Sequence, residues 1–114
     1  MEHKDLEVWK KSFDLAYRIY LLTNSFPEDE RYGLTLQIRR SAVSVPSNIA
    51  EGCGRTTDKD TLRFIDIANG SIAELETQIL LAQKLGYLSD TTILNRINEV
   101  RKMLIGLKNY LKNK

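Results

Sequence analysis

Apolar residues recur at helical spacing along most of the chain, and turn chemistry interrupts them at three places. From about residue 5 to 23, Leu6, Trp9, Phe13, Ala16 and Tyr20 follow at three- and four-residue steps, the stripe of a core-facing helix. A second apolar set, Val8, Leu15, Ile19 and Leu22, lies off that stripe, which fits either a wide core contact or a subunit interface. Lys4, Glu7, Lys11, Asp14 and Arg18 mix both signs down the remaining side, as a solvated face does. Later periods are stricter. Ile65, Ala68, Ile72, Leu75, Ile79 and Ala82 keep step without exception, and so do Ile93, Ile97, Val100, Leu104, Leu107 and Leu111.

The interruptions set the boundaries. Asn24-Ser25-Phe26-Pro27 ends the first helix, because a residue before proline is pushed out of helical angles. Pro27 then suits a first helical position, and Glu28, Asp29 and Glu30 favour the positive end of a helix dipole. This predicts a second helix over about 28–53, stopped by Gly52 and Gly54. Thr57 with Asp60, or Asp58, opens a third helix over 58–85, and Gly86 closes it. Ser89 or Asp90 caps a fourth over 90–112. Such short connections make successive helices antiparallel. The predicted fold is all-α: one domain over 1–114, an up-down-up-down four-helix bundle.

The second helix is unusual. Arg39 to Gly54 reads RRSAVSVPSNIAEGCG, with Pro46 inside it and small or polar residues where leucines are expected. Pro46 gives Ala42 no N–H and its ring crowds that carbonyl, so the helix is expected to bend or loosen there. Set antiparallel to the third helix, its apolar positions Ile38, Val45, Ile49 and Gly52 meet Leu75, Ala68, Ile65 and Leu62, pairs whose numbers add to 113 or 114. The same register predicts a polar seam beside the apolar one: Arg40 with Glu74, Glu51 with Arg63, Gln37 with Thr77 and Ser44 with Gly70. Buried ion pairs of this kind fix alignment more than they stabilise, since desolvation offsets their attraction. The competing reading is a groove with Glu51 and Glu74 as an acid/base pair. An arginine opposite each would keep both ionised, which weighs against a hydrolase.

Composition narrows the chemistry. At 114 residues with 42% hydrophobic and 28% charged, the chain can bury one core without disulfides or metal. No apolar run approaches the roughly 18 residues of a membrane span, and the charged start MEHKDLEVWK lacks a signal-peptide core, so the expected compartment is the cytoplasm. Cys53 is the only cysteine and His3 the only histidine, leaving no basis for a nucleophile–histidine pair, a histidine-ligated metal or a bound cofactor. Gly52-Cys53-Gly54-Arg55 lacks the strand and lysine of a phosphate loop, and no Glu-x-x-His pair offers a two-metal site. Trp9, Phe13 and Tyr20 are read as core rather than as a base-stacking platform.

The net charge of +2 is concentrated at one end. Arg96, Arg101, Lys102, Lys108, Lys112 and Lys114 face one acid, Glu99, whereas the first 95 residues hold 11 basic and 14 acidic side chains. With Ile97, Val100, Leu104 and Leu107 inward, these cations fall on outward or flanking positions, and Met103 and Tyr110 form a second apolar edge. The helix is either an ordinary solvated face or a weakly sequence-selective phosphate contact through Arg96, Arg101, Lys102, Lys108 and Lys112. An oligomer would multiply the patch into a substantial field.

The central helices resemble a known family. Phe26-Pro27, Glu30, Gly33-Leu34, Gln37, Arg39-Arg40, SVPSNIAEG from Ser44 to Gly52, Arg55, Phe64, Ala68, Gly70-Ser71 and Glu74-Leu75-Glu76-Thr77 resemble the bacterial four-helix-bundle proteins encoded in 23S rRNA intervening sequences. They are also similar to the related accessory protein of diversity-generating retroelements. The resemblance implies a homo-oligomer, usually a pentameric barrel with a central channel, and no known enzymatic activity. For the retroelement relatives it implies nucleic acid and a reverse transcriptase as partners, bound through basic surface. Those relatives are more basic than this chain, and Ser41 stands where many members carry alanine.

Overall fold

A computed structural model describes all 114 residues and contains four helices and no strand. A short 3-10 turn, His3–Asp5, precedes α1 (Glu7–Thr23); a second, Glu28–Glu30, precedes α2 (Leu34–Cys53). Then come α3 (Asp58–Lys84) and α4 (Thr92–Lys112). No helix is long and apolar enough to cross a membrane. Each helix touches two others: α1 packs on α2 and α4, and α3 on α2 and α4.

The core follows the strict periods. All six predicted α3 positions, Ile65, Ala68, Ile72, Leu75, Ile79 and Ala82, are fully buried. Ile93, Ile97, Val100, Leu104 and Leu111 of α4 and Ile38, Ala42, Val45 and Ile49 of α2 close on them. Leu107 and Leu62 pack at the margin.

Two expectations change, the start of α2 and the buried face of α1. The second helix starts at Leu34 rather than at residue 28, because the chain turns at Tyr32–Gly33 after one 3-10 turn. Glu30 fixes that start: its Oε1 accepts the Leu34 N–H at 3.3 Å and its Oε2 accepts the Tyr87 hydroxyl at 2.8 Å. A side chain on Gly33 would meet Glu30 Oε1 at 2.9 Å. Helix α2 then runs unbroken through Pro46, which is itself buried. Just past the proline's missing donor, Asn48 Nδ2 donates to the Ser44 carbonyl at 2.8 Å and to Ser44 Oγ at 3.0 Å.

The buried face of α1 is centred on the second apolar set, Val8, Leu15 and Ile19, rather than on the leading stripe. Val8, Ser12, Leu15, Ala16, Ile19 and Thr23 are inside, whereas Phe13 is 57% and Tyr20 43% exposed. Two hydroxyl residues hide this face from a hydrophobicity pattern. Each satisfies itself on its own helix, Ser12 Oγ donating to the Trp9 carbonyl at 2.9 Å and Thr23 Oγ1 to the Ile19 carbonyl at 2.8 Å.

The ends are locally determined. Gly86, at φ 81°, ends α3 with Tyr87 N–H bonded to the Ala82 carbonyl and Gly86 N–H to that of Gln83, a Schellman closure. Thr57 Oγ1 caps α3 by accepting the Asp60 N–H at 3.2 Å. Asp90 accepts from Thr92 N–H and Oγ1 at 2.8 and 2.7 Å, and these bonds hold its carboxyl below the usual range.

Candidate functional site

Aromatic residues on the outer side of α1 line an apolar recess against α2. On α1, Trp9, Phe13, Tyr17 and Tyr20 stand along one side; on α2, Val43, Pro46, Ser47 and Ala50 form the other, and His3 closes one end. The recess measures about 570 Å³. Trp9 stacks on Phe13 with ring centres 5.0 Å apart, and His3 meets the Trp9 ring edge-on at 5.1 Å. The small α2 residues leave the depth, and the α1 rings supply the walls.

Arg39 organises the other end. Its guanidinium lies 4.6 Å over the Tyr20 ring while Nε donates to Thr23 Oγ1 at 2.9 Å. Its Nη2 reaches the Tyr20 carbonyl at 3.3 Å and Asn24 Oδ1 at 3.2 Å. One arginine of α2 thus satisfies the last turn of α1 and fixes the angle between the helices that bound the recess. Sequence reasoning missed this role, for which a basic residue sixteen positions from its partner leaves no local signal.

The predicted polar seam is displaced by one position. Neither ion pair forms. Glu74 Oε1 instead accepts the hydroxyl of buried Ser41 at 2.8 Å, and Ser44 shares a 2.8 Å hydrogen bond with Ser71, whereas Gly70 is exposed and faces nothing. Glu51 pairs within its own helix with Arg55 at 3.1 Å, and Arg63 lies over the Phe64 ring. The apolar half of the register holds because leucine and isoleucine must turn inward. The long Arg40 and Arg63 extend to water instead, leaving short hydroxyls to span the gap. At Gly52 the helices pack closely: an added Cβ would sit 3.1 Å from Phe64 Cβ and 3.2 Å from the Thr61 carbonyl. Thr61 Oγ1 donates to the Gly52 carbonyl there at 2.8 Å.

The cations of α4 and of the residues just after it are largely engaged within the molecule. Lys108 Nζ lies 2.7 Å from Asp66, and Lys114 3.5 Å from Asp58, both on α3. Arg101 Nη2 is 2.8 Å from Glu76 Oε1, at an angle that makes a charge contact rather than a hydrogen bond. Arg96 approaches Asp14 of α1 at 3.7 Å, and Lys11 of α1 approaches Glu99 at 3.2 Å. Of the five predicted phosphate contacts, only Lys102 and Lys112 carry no counter-ion, and both are exposed.

No group of three histidine, cysteine, aspartate or glutamate side chains is placed to hold a metal ion. Burial pushes the Cys53 thiol up, so at neutral pH it is protonated and a poor nucleophile.

A family model described as 23S rRNA-intervening sequence protein matches residues 4–106. Among solved structures the chain is similar to a protein of unknown function from the S23 ribosomal protein family of Bacteroides thetaiotaomicron. The two share 28% identity over 89% of this chain and 97% of the other, with a TM-score of 0.79. No curated protein matches at a significant level.

Proposed function

The chain belongs to the 23S rRNA-intervening sequence protein family, and on that footing we propose that it is a non-enzymatic up-down-up-down bundle that self-assembles as a scaffold. The recess between α1 and α2 carries this reading. An uncovered wall of Trp9, Phe13, Tyr17 and Tyr20 is costly in water for a protein that works alone. The occupant is a second copy of the same chain. A second uncovered apolar surface lies at the C-terminal end of α3, where Leu80, Leu81 and Leu85 are each about half exposed. A recess on one face and a leucine ridge on another make a heterologous contact, which closes into a ring when the rotation allows. The pentameric barrel is the ring this proposal favours.

Light scattering tests it. The wild-type chain is expected at several times its 13.1 kDa mass. Tyr17→Asp is expected to give monomers with unchanged helix content. A wild-type monomer would sink the proposal.

The exposed, unpaired Lys102 and Lys112 support a second reading in which the assembly contacts a phosphate backbone. In this reading Arg96, Arg101 and Lys108 contribute only after leaving their acidic partners, and a reverse transcriptase is a candidate companion. Mobility shift with structured RNA is expected to fade as salt rises and to weaken on Lys102→Ala with Lys112→Ala. A complex insensitive to both would exclude this surface.

A further inference from the structure

On the other side of α2, away from the aromatic recess, Gln37, Arg40, Ser41 and Ser44 face Glu74 and Gln78 of α3 across a cleft of about 340 Å³ with no apolar residue in its lining. Two features set it apart from an ordinary solvated groove. Arg40 and Glu74 share the cleft yet do not pair: Glu74 Oε1 is occupied by the Ser41 hydroxyl, and Arg40 has no acidic group within ion-pair distance. Gln78 Oε1, in the same lining, is shut off from solvent and has no hydrogen-bond donor. Beside them Asn48 Nδ2 donates to Ser44 Oγ at 3.0 Å, and the Ser44 and Ser71 hydroxyls are hydrogen-bonded at 2.8 Å. The cleft therefore offers one unpaired cation and one carboxylate with a free oxygen.

We infer that this cleft binds a small zwitterion of the α-amino acid class. Its carboxylate lies against the Arg40 guanidinium, whose planar donors match two oxygens at once. Its ammonium supplies donors to Glu74 Oε2, the oxygen that Ser41 leaves free. The ligand thus bridges two opposite charges that the fold holds apart. A phosphate monoester satisfies Arg40 but places its negative charge against Glu74, and a simple cation leaves Arg40 unmet. The inference is independent of self-assembly, because both walls of the cleft belong to one chain.

The probe is L-glutamine, with acetate and methylammonium as its separate charged halves and inorganic phosphate as a competitor class. Calorimetry and amide chemical shifts of the isotopically labelled full chain are the readouts. Glutamine at millimolar concentration is expected to shift the amides of Ser41, Ser44, Ser71 and Gln78, and each half to bind about tenfold weaker or worse. Arg40→Gln, an exposed position that leaves the helix pair intact, is expected to abolish the response, and Glu74→Gln to weaken it about tenfold. Absence of shifts with glutamine would overturn the inference. So would acetate or phosphate binding as tightly as glutamine, or an unchanged response in the Arg40→Gln protein.

Discussion

Where α1 meets α2, the surface is built from rings and small residues; where α4 meets α3 and α1, it is built from opposite charges. The first surface can gain only by being covered, since its apolar area stays in contact with water until something docks. The second is already satisfied, because Lys108, Arg101 and Lys114 meet Asp66, Glu76 and Asp58 within the chain. Sequence alone suggests the reverse emphasis. A run of cations reads as an interaction surface and a run of aromatics as core, yet neighbours across the fold neutralise the one and leave the other uncovered.

The sharpest test of this contrast lies within α1, two residues apart. Leu15 is 2% exposed and Phe13 57%, although the sequence pattern assigns Phe13 to the leading core stripe. Leu15→Ala is expected to lower unfolding free energy by about 2–5 kcal/mol. Phe13→Ala is expected to change it by less than about 0.5 kcal/mol while reducing assembly mass. Denaturant titration of dilute protein separates the two effects. Equal losses would mean that α1 is rotated from the orientation described.

A smaller effect is expected at Gly52, where α2 packs closely on α3. Gly52→Val brings methyl groups against Phe64 Cβ and the Thr61 carbonyl, and a backbone carbonyl cannot swing aside as a side chain can. The helices must separate, at a cost of about 1–3 kcal/mol by thermal or chemical unfolding. An unchanged midpoint would show that the approach is slack.

These two regions also show what the sequence carries about the fold. Regular steps in α3 and α4 identify every buried aliphatic because nothing polar interrupts them. In α1 the buried face includes Ser12 and Thr23, whose hydroxyls are satisfied within the helix, so a hydrophobicity pattern counts them against the correct side. The apolar register of α2 on α3 is legible because aliphatic residues have one acceptable direction. Its polar partners are not, since a long arginine and the neighbouring serine lie within one helical step and only packing decides which turns inward. The acidic partners of α4 are scattered over Asp14, Asp58, Asp66 and Glu76, and no local spacing connects them to their cations.

The ion-pair side yields a weaker prediction. Arg101→Gln and Lys108→Gln are each expected to cost less than about 1 kcal/mol, because both pairs remain partly open to water. The loss is expected to shrink at high salt. Larger, salt-independent losses would mean that the α4 cations act as buried anchors and would narrow the difference between the two surfaces.

The smallest expected effect belongs to a contact outside both surfaces, where the loop before α2 meets the loop after α3. Tyr87 donates to Glu30 Oε2 at 2.8 Å while its ring packs on Phe26, with centroids 5.6 Å apart. That hydrogen bond to a carboxylate raises the Tyr87 pKa above its ordinary 10.0, since losing the proton breaks the bond and sets two negative charges side by side. A phenol with a raised folded-state pKa stabilises the fold fully below its ordinary value and loses that contribution as pH climbs through the raised one. Tyr87→Phe keeps the ring and removes the proton. Its melting temperature is therefore expected to fall slightly below wild type at neutral pH, with the gap closing above pH 10. A gap independent of pH would assign the difference to packing on Phe26 and leave Glu30 needing only its bond to the Leu34 N–H to hold the start of α2.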